Sequence, residues 1–154
     1  MKAEFVNPIY QATNDVLKNM LDIEDIERGE MSMNEEMVQG SDANVTIGVT
    51  GNLSGSILYS FSKEMALEMV EIMSGMKMEE LDKFVSSAVG EIANIISGNA
   101  VTYLANNGYE CDIVPPQVSI GRSKSLSMAN KKVLEVPLST EVGDFTINIS
   151  VEEK

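Results

Sequence analysis

In the stretch SSAVGEIANIISGNA, residues 86–100, apolar side chains recur every third or fourth position, and Ser87, Glu91 and Asn94 interrupt them at spacings of four and three. At about 100° per residue, these three and Gly98 fall within roughly a 60° arc, stacked over three helical turns. A carboxylate can pair with a lysine or take up a proton, and a carboxamide can both donate to and accept from a water. Neither is a covalent nucleophile here. A glycosidase needs two carboxylates flanking its substrate, and a metallohydrolase needs more ligands than this arc offers. What remains is positioning: an amide can hold a water in line with a reactive bond when the substrate brings both that bond and its metal. The other reading is a thin wet stripe on a mostly buried helix. Gly98 weighs against it, because an exposed helical glycine costs about 1 kcal/mol relative to alanine unless something must approach closely.

The rest of the composition removes competing chemistries. The chain has no histidine and one cysteine, Cys111, so Cys/His and Ser/His nucleophiles are excluded together with the commonest metal ligand. Cys111 reads as a small apolar residue. With a net charge of -13 and only 11 scattered Lys and Arg, the chain is expected to bind neither nucleic acid nor anionic lipid. A lone cysteine, the lack of a signal peptide and the lack of an apolar run of about 18 residues predict a cytoplasmic location and no membrane partner. At 154 residues, 44% of them hydrophobic and 23% charged, one domain over residues 1–154 is expected, needing no metal or disulfide to hold it.

The elements that must position the arc follow from periodicity. A helix over about residues 80–107 carries it, with Leu81, Phe84, Val85, Ala88, Val89, Ile92, Ile95, Ile96, Val101 and Leu104 expected on the buried side. A first helix is expected with Asn7 as N-cap and Pro8 at its first position, and a second between the cap Ser62 and the terminating Gly75. Met65, Met69, Met73 and Met76 on that second helix read as core filler. The acidic run between Asp22 and Glu36 lacks the ligand offsets and placed glycine of a calcium loop; it reads as a solvated face, with Met31 and Met33 in an edge strand. Alternation predicts a hairpin around the GNLSG turn, with Val45, Ile47 and Val49 before it and Ile57, Tyr59 and Phe61 after it. Three more strands are expected beyond residue 116. VTGNLSGSILYSFS and VPLSTEVGDFTINIS share a strand–turn–strand plan, each preceded by a long helix. The expected fold is α+β in two layers: an antiparallel sheet of about six strands against two long helices, with internal pseudo-duplication.

Ser87-x-x-x-Glu91-x-x-Asn94, followed after 21 residues by Pro116, resembles the signature of the CheC/CheX/FliY family of chemotaxis phosphatases. Pro116 sits one residue short of the family's usual spacing. EIANIISGNA on a long helix, the GNLSGSILYSFS hairpin and the duplicated layout extend the resemblance over most of the chain. Such proteins hydrolyse the aspartyl phosphate of the response regulator CheY. The resemblance implies that Asn94 orients the attacking water in the regulator's active site and that Glu91 contacts the regulator's active-site lysine. Ser87 and Gly98 would belong to the partner-binding surface, with Ser87 having no chemical role. The phosphorylated receiver domain would supply the phosphoaspartate and Mg²⁺, so the chain needs no cofactor of its own. The CheC branch has two Glu-x-x-Asn sites; here the first helix offers Asn7, Gln11 and Asn14 at the same spacing, so one intact site remains, as in CheX. That branch implies a homodimer formed through the sheets. Two alternatives stay open: a response-regulator binding module without hydrolysis, and a flagellar switch or scaffold protein in which Glu91 and Asn94 are only a wet stripe.

Overall fold

The computed structural model describes residues 2–122 and 125–154. Helix α1 is Ala3–Asn19; three short strands follow, β1 Ile26–Arg28, β2 Ser32–Asn34 and β3 Met37–Gln39. A long hairpin, β4 Ala43–Gly51 and β5 Leu53–Phe61, leads into α2 Lys63–Ser74 and α3 Lys83–Asn106. Three further short strands, β6 Cys111–Ile113, β7 Gln117–Ile120 and β8 Ser125–Ser127, precede a second long hairpin, β9 Val133–Thr140 and β10 Gly143–Glu153.

The two hairpins meet back to back in one antiparallel sheet of order β1-β9-β10-β5-β4-β6, with β2 extending the β9 edge and β7 the β4 edge. Four long strands therefore carry the sheet, and four segments of three or four residues finish its margins. This is the expected α+β antiparallel fold, widened from about six strands by edge pieces too short for alternation to reveal. At the centre β5 and β10 pair Ile57 with Ile149, Tyr59 with Ile147 and Phe61 with Phe145, and the two phenyl rings stack at 5.2 Å. These side chains face α1, α2 and α3 and form the main core. Pro137 on β9 has no N–H to give the sheet margin, and β1 and β2 part beside it, where the Gly29 N–H donates to the Pro137 carbonyl at 2.8 Å.

The opposite face of the sheet is covered as well. A two-stranded ribbon of β3 and β8 pairs Val38 with Leu126, and with Met128 it closes over Leu58 and Val133. Ser60 and Asn148 lie buried on the polar half of the strand alternation, each with a side-chain oxygen lacking a partner among the described residues.

Three helix details differ from expectation. α1 begins at Ala3, so Asn7 is an exposed interior residue rather than a cap, and Pro8 lies inside the helix. The added turn is held by tertiary burial: Phe5 and Val6 are both buried, and the Phe5 ring meets Tyr109 edge-on at 5.1 Å. Burial of Phe5 and Val6 together offsets the hydrogen bond Pro8 cannot make to the preceding turn. On α2 the Ser62 cap and the left-handed Gly75 end are where they were expected, with the Ser62 hydroxyl accepting from the Met65 N–H at 3.2 Å. Met65 and Met69 are core filler, whereas Met73 is exposed on the outer face of α2 and Met76 is exposed because it lies beyond the Gly75 end of the helix. α3 starts three residues later than expected, where Asp82 caps it by accepting from the Val85 N–H at 2.9 Å.

Candidate functional site

α3 buries Val85, Val89, Ile92, Ala93, Ile96, Ala100 and Leu104 against the core. Its rotation is fixed by one buried polar contact, the Ser97 hydroxyl against the Tyr59 hydroxyl at 2.9 Å. Burial pushes the Tyr59 phenol well above its ordinary pKa, and the Ser97 contact only partly offsets this, so Tyr59 is a neutral peg. Tyr59→Phe strips Ser97 of its partner and is expected to cost about 1 kcal/mol, seen as a melting temperature lower by about 2–4 °C.

With that side turned inward, the polar arc faces out. Ser87 and Glu91 are exposed, and Asn94 and Gly98 are half-buried. The structure thus brings all four residues to one open helix surface. Among the described residues, the side-chain hydrogen bonds of α3 and its cap belong to Asp82, Ser97, Thr102 and Tyr103. Glu91 enters none of the ion pairs. A carboxylate and a carboxamide one turn apart are therefore both uncommitted among the described residues. A Cβ placed on Gly98 meets nothing within 4 Å, so no contact inside the chain requires glycine there.

Pro116 comes to the flank of this surface through a residue that sequence reasoning passed over. Gly90 immediately precedes Glu91, and a Cβ on it would lie 3.0 Å from Val118 Cγ2 and 3.9 Å from Pro116 Cγ. The missing side chain lets Pro116 and Val118 lie against α3 at Gly90, on one flank of the arc. Phe84 is the other omission: expected in the core, it is 45% exposed, one turn before Ser87 on the same side of the helix. Leu81 and Val85 satisfy the core at that level and leave Phe84 outside.

α1 carries the corresponding triplet. Asn7, Gln11 and Asn14 repeat the spacing of Ser87, Glu91 and Asn94, and Asn7 and Gln11 line a shallow cavity with Tyr103 and Asn106. The surroundings differ, since Tyr10 stands where Gly90 stands on α3 and Lys18 where Gly98 does. The Tyr103 hydroxyl donates to the Asp15 carboxylate across the two helices, which raises the pKa of the phenol. No group of three His, Cys, Asp or Glu among the described residues could hold a metal ion.

A family model described as chemotaxis phosphatase CheX matches residues 43–139, a span that holds the whole α3 arc and leaves out α1. The CheY-P phosphatase CheX of Thermotoga maritima is 32% identical over 154 residues, covering 99% of this chain and 98% of its own. A CheC-like superfamily protein from Shewanella sp. PV-4 superposes with a TM-score of 0.88 at 30% identity, over 99% of each chain. The CheX of the CheX–CheY–BeF3–Mg²⁺ complex from Borrelia burgdorferi superposes at 0.81 with 29% identity, over 97% of this chain and 98% of its own. On the family match and the identity along its whole length, the chain belongs to the CheX family of chemotaxis phosphatases.

Proposed function

We propose that this protein hydrolyses the aspartyl phosphate of a CheY-type response regulator. The observation that carries the reading is the open face of α3, where Glu91 and Asn94 stand one turn apart with no side-chain partner among the described residues. A relative has been solved as a CheX–CheY–BeF3–Mg²⁺ complex, which supports a receiver domain as the occupant of such a face.

In this mechanism the Asn94 carboxamide enters the receiver's active site and holds a water in line with the phosphorus. Attack forms a new P–O bond and breaks the bond to the aspartyl oxygen, releasing inorganic phosphate and a free aspartate. The Glu91 carboxylate pairs with the receiver's lysine and fixes the angle at which α3 enters. Mg²⁺ belongs to the receiver and offsets the phosphoryl charge there; this chain contributes no ligand to it. Preorganised positioning is the whole contribution of α3, which suits a helix clamped from behind by Tyr59 and Ser97.

Ser87 and Gly98 complete the contact surface, Gly98 by letting the partner's backbone come close. Gly98→Ala is expected to raise the melting temperature, since helix propensity gains up to about 1 kcal/mol and the new methyl meets nothing in the chain. The same change weakens receiver binding, and Gly98→Leu weakens it further. Thermal melts and titrations with a receiver check both halves.

The functional unit is residues 1–154, acting in the cytoplasm. It is a homodimer joined through the sheet, a reading supported by the β1/β2 margin, where Met31 and Met33 are exposed beside short edge strands. The test of the activity is the decay of phosphoaspartate on a receiver domain from the same cell, with catalytic amounts of this protein. Faster decay is expected; unchanged decay against every receiver of that cell overturns the reading.

A further inference from the structure

Glu91 alone supplies formal charge to the arc, and an exposed ion pair contributes little to holding a partner. The chain carries a net charge of -13, and a phosphoaspartate is itself anionic, so long-range charge does not draw the two together. Affinity must come from other atoms on this face. Protein interfaces take most of their binding energy from a few apolar or aromatic side chains that lose water on contact.

Such side chains border the arc on both sides. Phe84 stands one turn before Ser87, 45% exposed, with half-buried Ala88 and Ile95 continuing an apolar margin along α3. Val118, 36% exposed, lies on the opposite margin, packed over Gly90 beside Glu91. Among the described residues, the other exposed large apolar side chains are Met20 at the end of α1, Met31, Met33 and Met37 in or beside β2 and β3, Ile72, Met73 and Met76 at the end of α2, and Val114 two residues before Pro116. Phe84 on α3 and Val118 packed over Gly90 are the ones that flank the polar arc itself.

We propose that Phe84 and Val118 are the two apolar grips that supply most of the hold on the receiver domain, while Asn94 sets turnover and Glu91 contributes to both. The proposal rests on the phosphatase reading above and adds a division of labour to it. Its occupant is the apolar surface surrounding the receiver's phosphorylated pocket. Gly90 acquires a purpose: a Cβ there would lie 3.0 Å from Val118 Cγ2, so the missing side chain is what lets Val118 pack against α3 beside the arc. Both grips lie on the solvent side of well-packed elements, so polar substitution leaves the core intact.

The experiment pairs steady-state dephosphorylation with equilibrium binding to the same receiver charged with Mg²⁺ and beryllium trifluoride, using Phe84→Ser, Val118→Ser, Phe84→Leu and Asn94→Ala. Each serine variant is expected to raise KM and Kd about 10-fold and leave kcat within about twofold, as loss of one interface anchor does. Phe84→Leu restores most of the affinity. Asn94→Ala shows the converse, a lower kcat with Kd preserved. Native KM and Kd in both serine variants overturn the proposal, as does a lower kcat with Kd unmoved. If the native protein binds the receiver without hastening decay, the phosphatase reading falls and Kd still decides the grips. If it binds no receiver, both fall.

Discussion

Asn94→Ala is expected to lower the catalysed rate of receiver dephosphorylation by about 100-fold, or roughly 2.7 kcal/mol of barrier, with little change in KM. The size follows from the mechanism: if the carboxamide's only task is to hold a water in line, deleting it removes a contact realised chiefly in the transition state. The variant protein should be as stable as the native one. Asn94 is half-buried on the outer side of α3, and alanine is the better helix former. Asn94→Asp has almost the same shape, yet it loses the N–H donors and brings a negative charge towards the phosphoryl group, so it is expected to do no better than alanine. α1 provides the internal control. Asn14 occupies the corresponding position beside Gln11, and Asn14→Ala is expected to leave the rate unchanged, since an amide at position 11 cannot pair with lysine as a carboxylate does. Single-turnover decay of the phosphorylated receiver reads all three variants; an Asn94→Ala protein that keeps more than half the native rate ends the water-positioning mechanism.

The arc was legible because it depends only on helical period. Ser87, Glu91, Asn94 and Gly98 share one side of any helix that contains them, and the apolar residues between them leave that side as the one facing out. The Ser62 and Gly75 helix ends and the two long hairpins were legible for the same local reason. What escaped depends on distant contacts. Pro8 argues for a helix start on local grounds, and only the burial of Phe5 and Val6, with Phe5 packed on Tyr109 far along the chain, carries the helix back to Ala3. Phe84 fits the apolar period of α3, but Leu81 and Val85 already fill the core at its level. Gly90 looks like an ordinary weak point in a helix until Val118 and Pro116 are seen against it. Alternation likewise marks Leu58, Ser60 and Asn148 as an outer face, and a three-residue pairing of β3 with β8 is too short to announce the cover that buries Leu58.

Glu91→Ala is expected to cost about as much as the loss of Asn94, about 100-fold, but in a different kinetic quantity. A carboxylate that pairs with the receiver's lysine is engaged before the bond breaks as well as during it, so both the hold on the receiver and the entry angle of Asn94 suffer. The loss should therefore appear in kcat/KM, divided between its two terms. Glu91→Gln keeps the length and the helix propensity and removes only the charge; it should fall near alanine if pairing with an ammonium is what matters, and near the native protein if shape alone is. Glu91→Lys sets like charges against each other and should be the slowest of the series. Stability gives no cover for these effects, because Glu91 is exposed and has no ion pair among the described residues, and such substitutions usually stay within about 0.5 kcal/mol. Salt supplies the sharper criterion. Rising ionic strength weakens an exposed pair and also relieves the repulsion due to the net charge of -13. In the native protein these trends oppose each other, whereas in Glu91→Gln only the second remains. The variant's kcat/KM should then rise more steeply with salt than the native value does; parallel salt profiles would mean that Glu91 meets no cation in the complex.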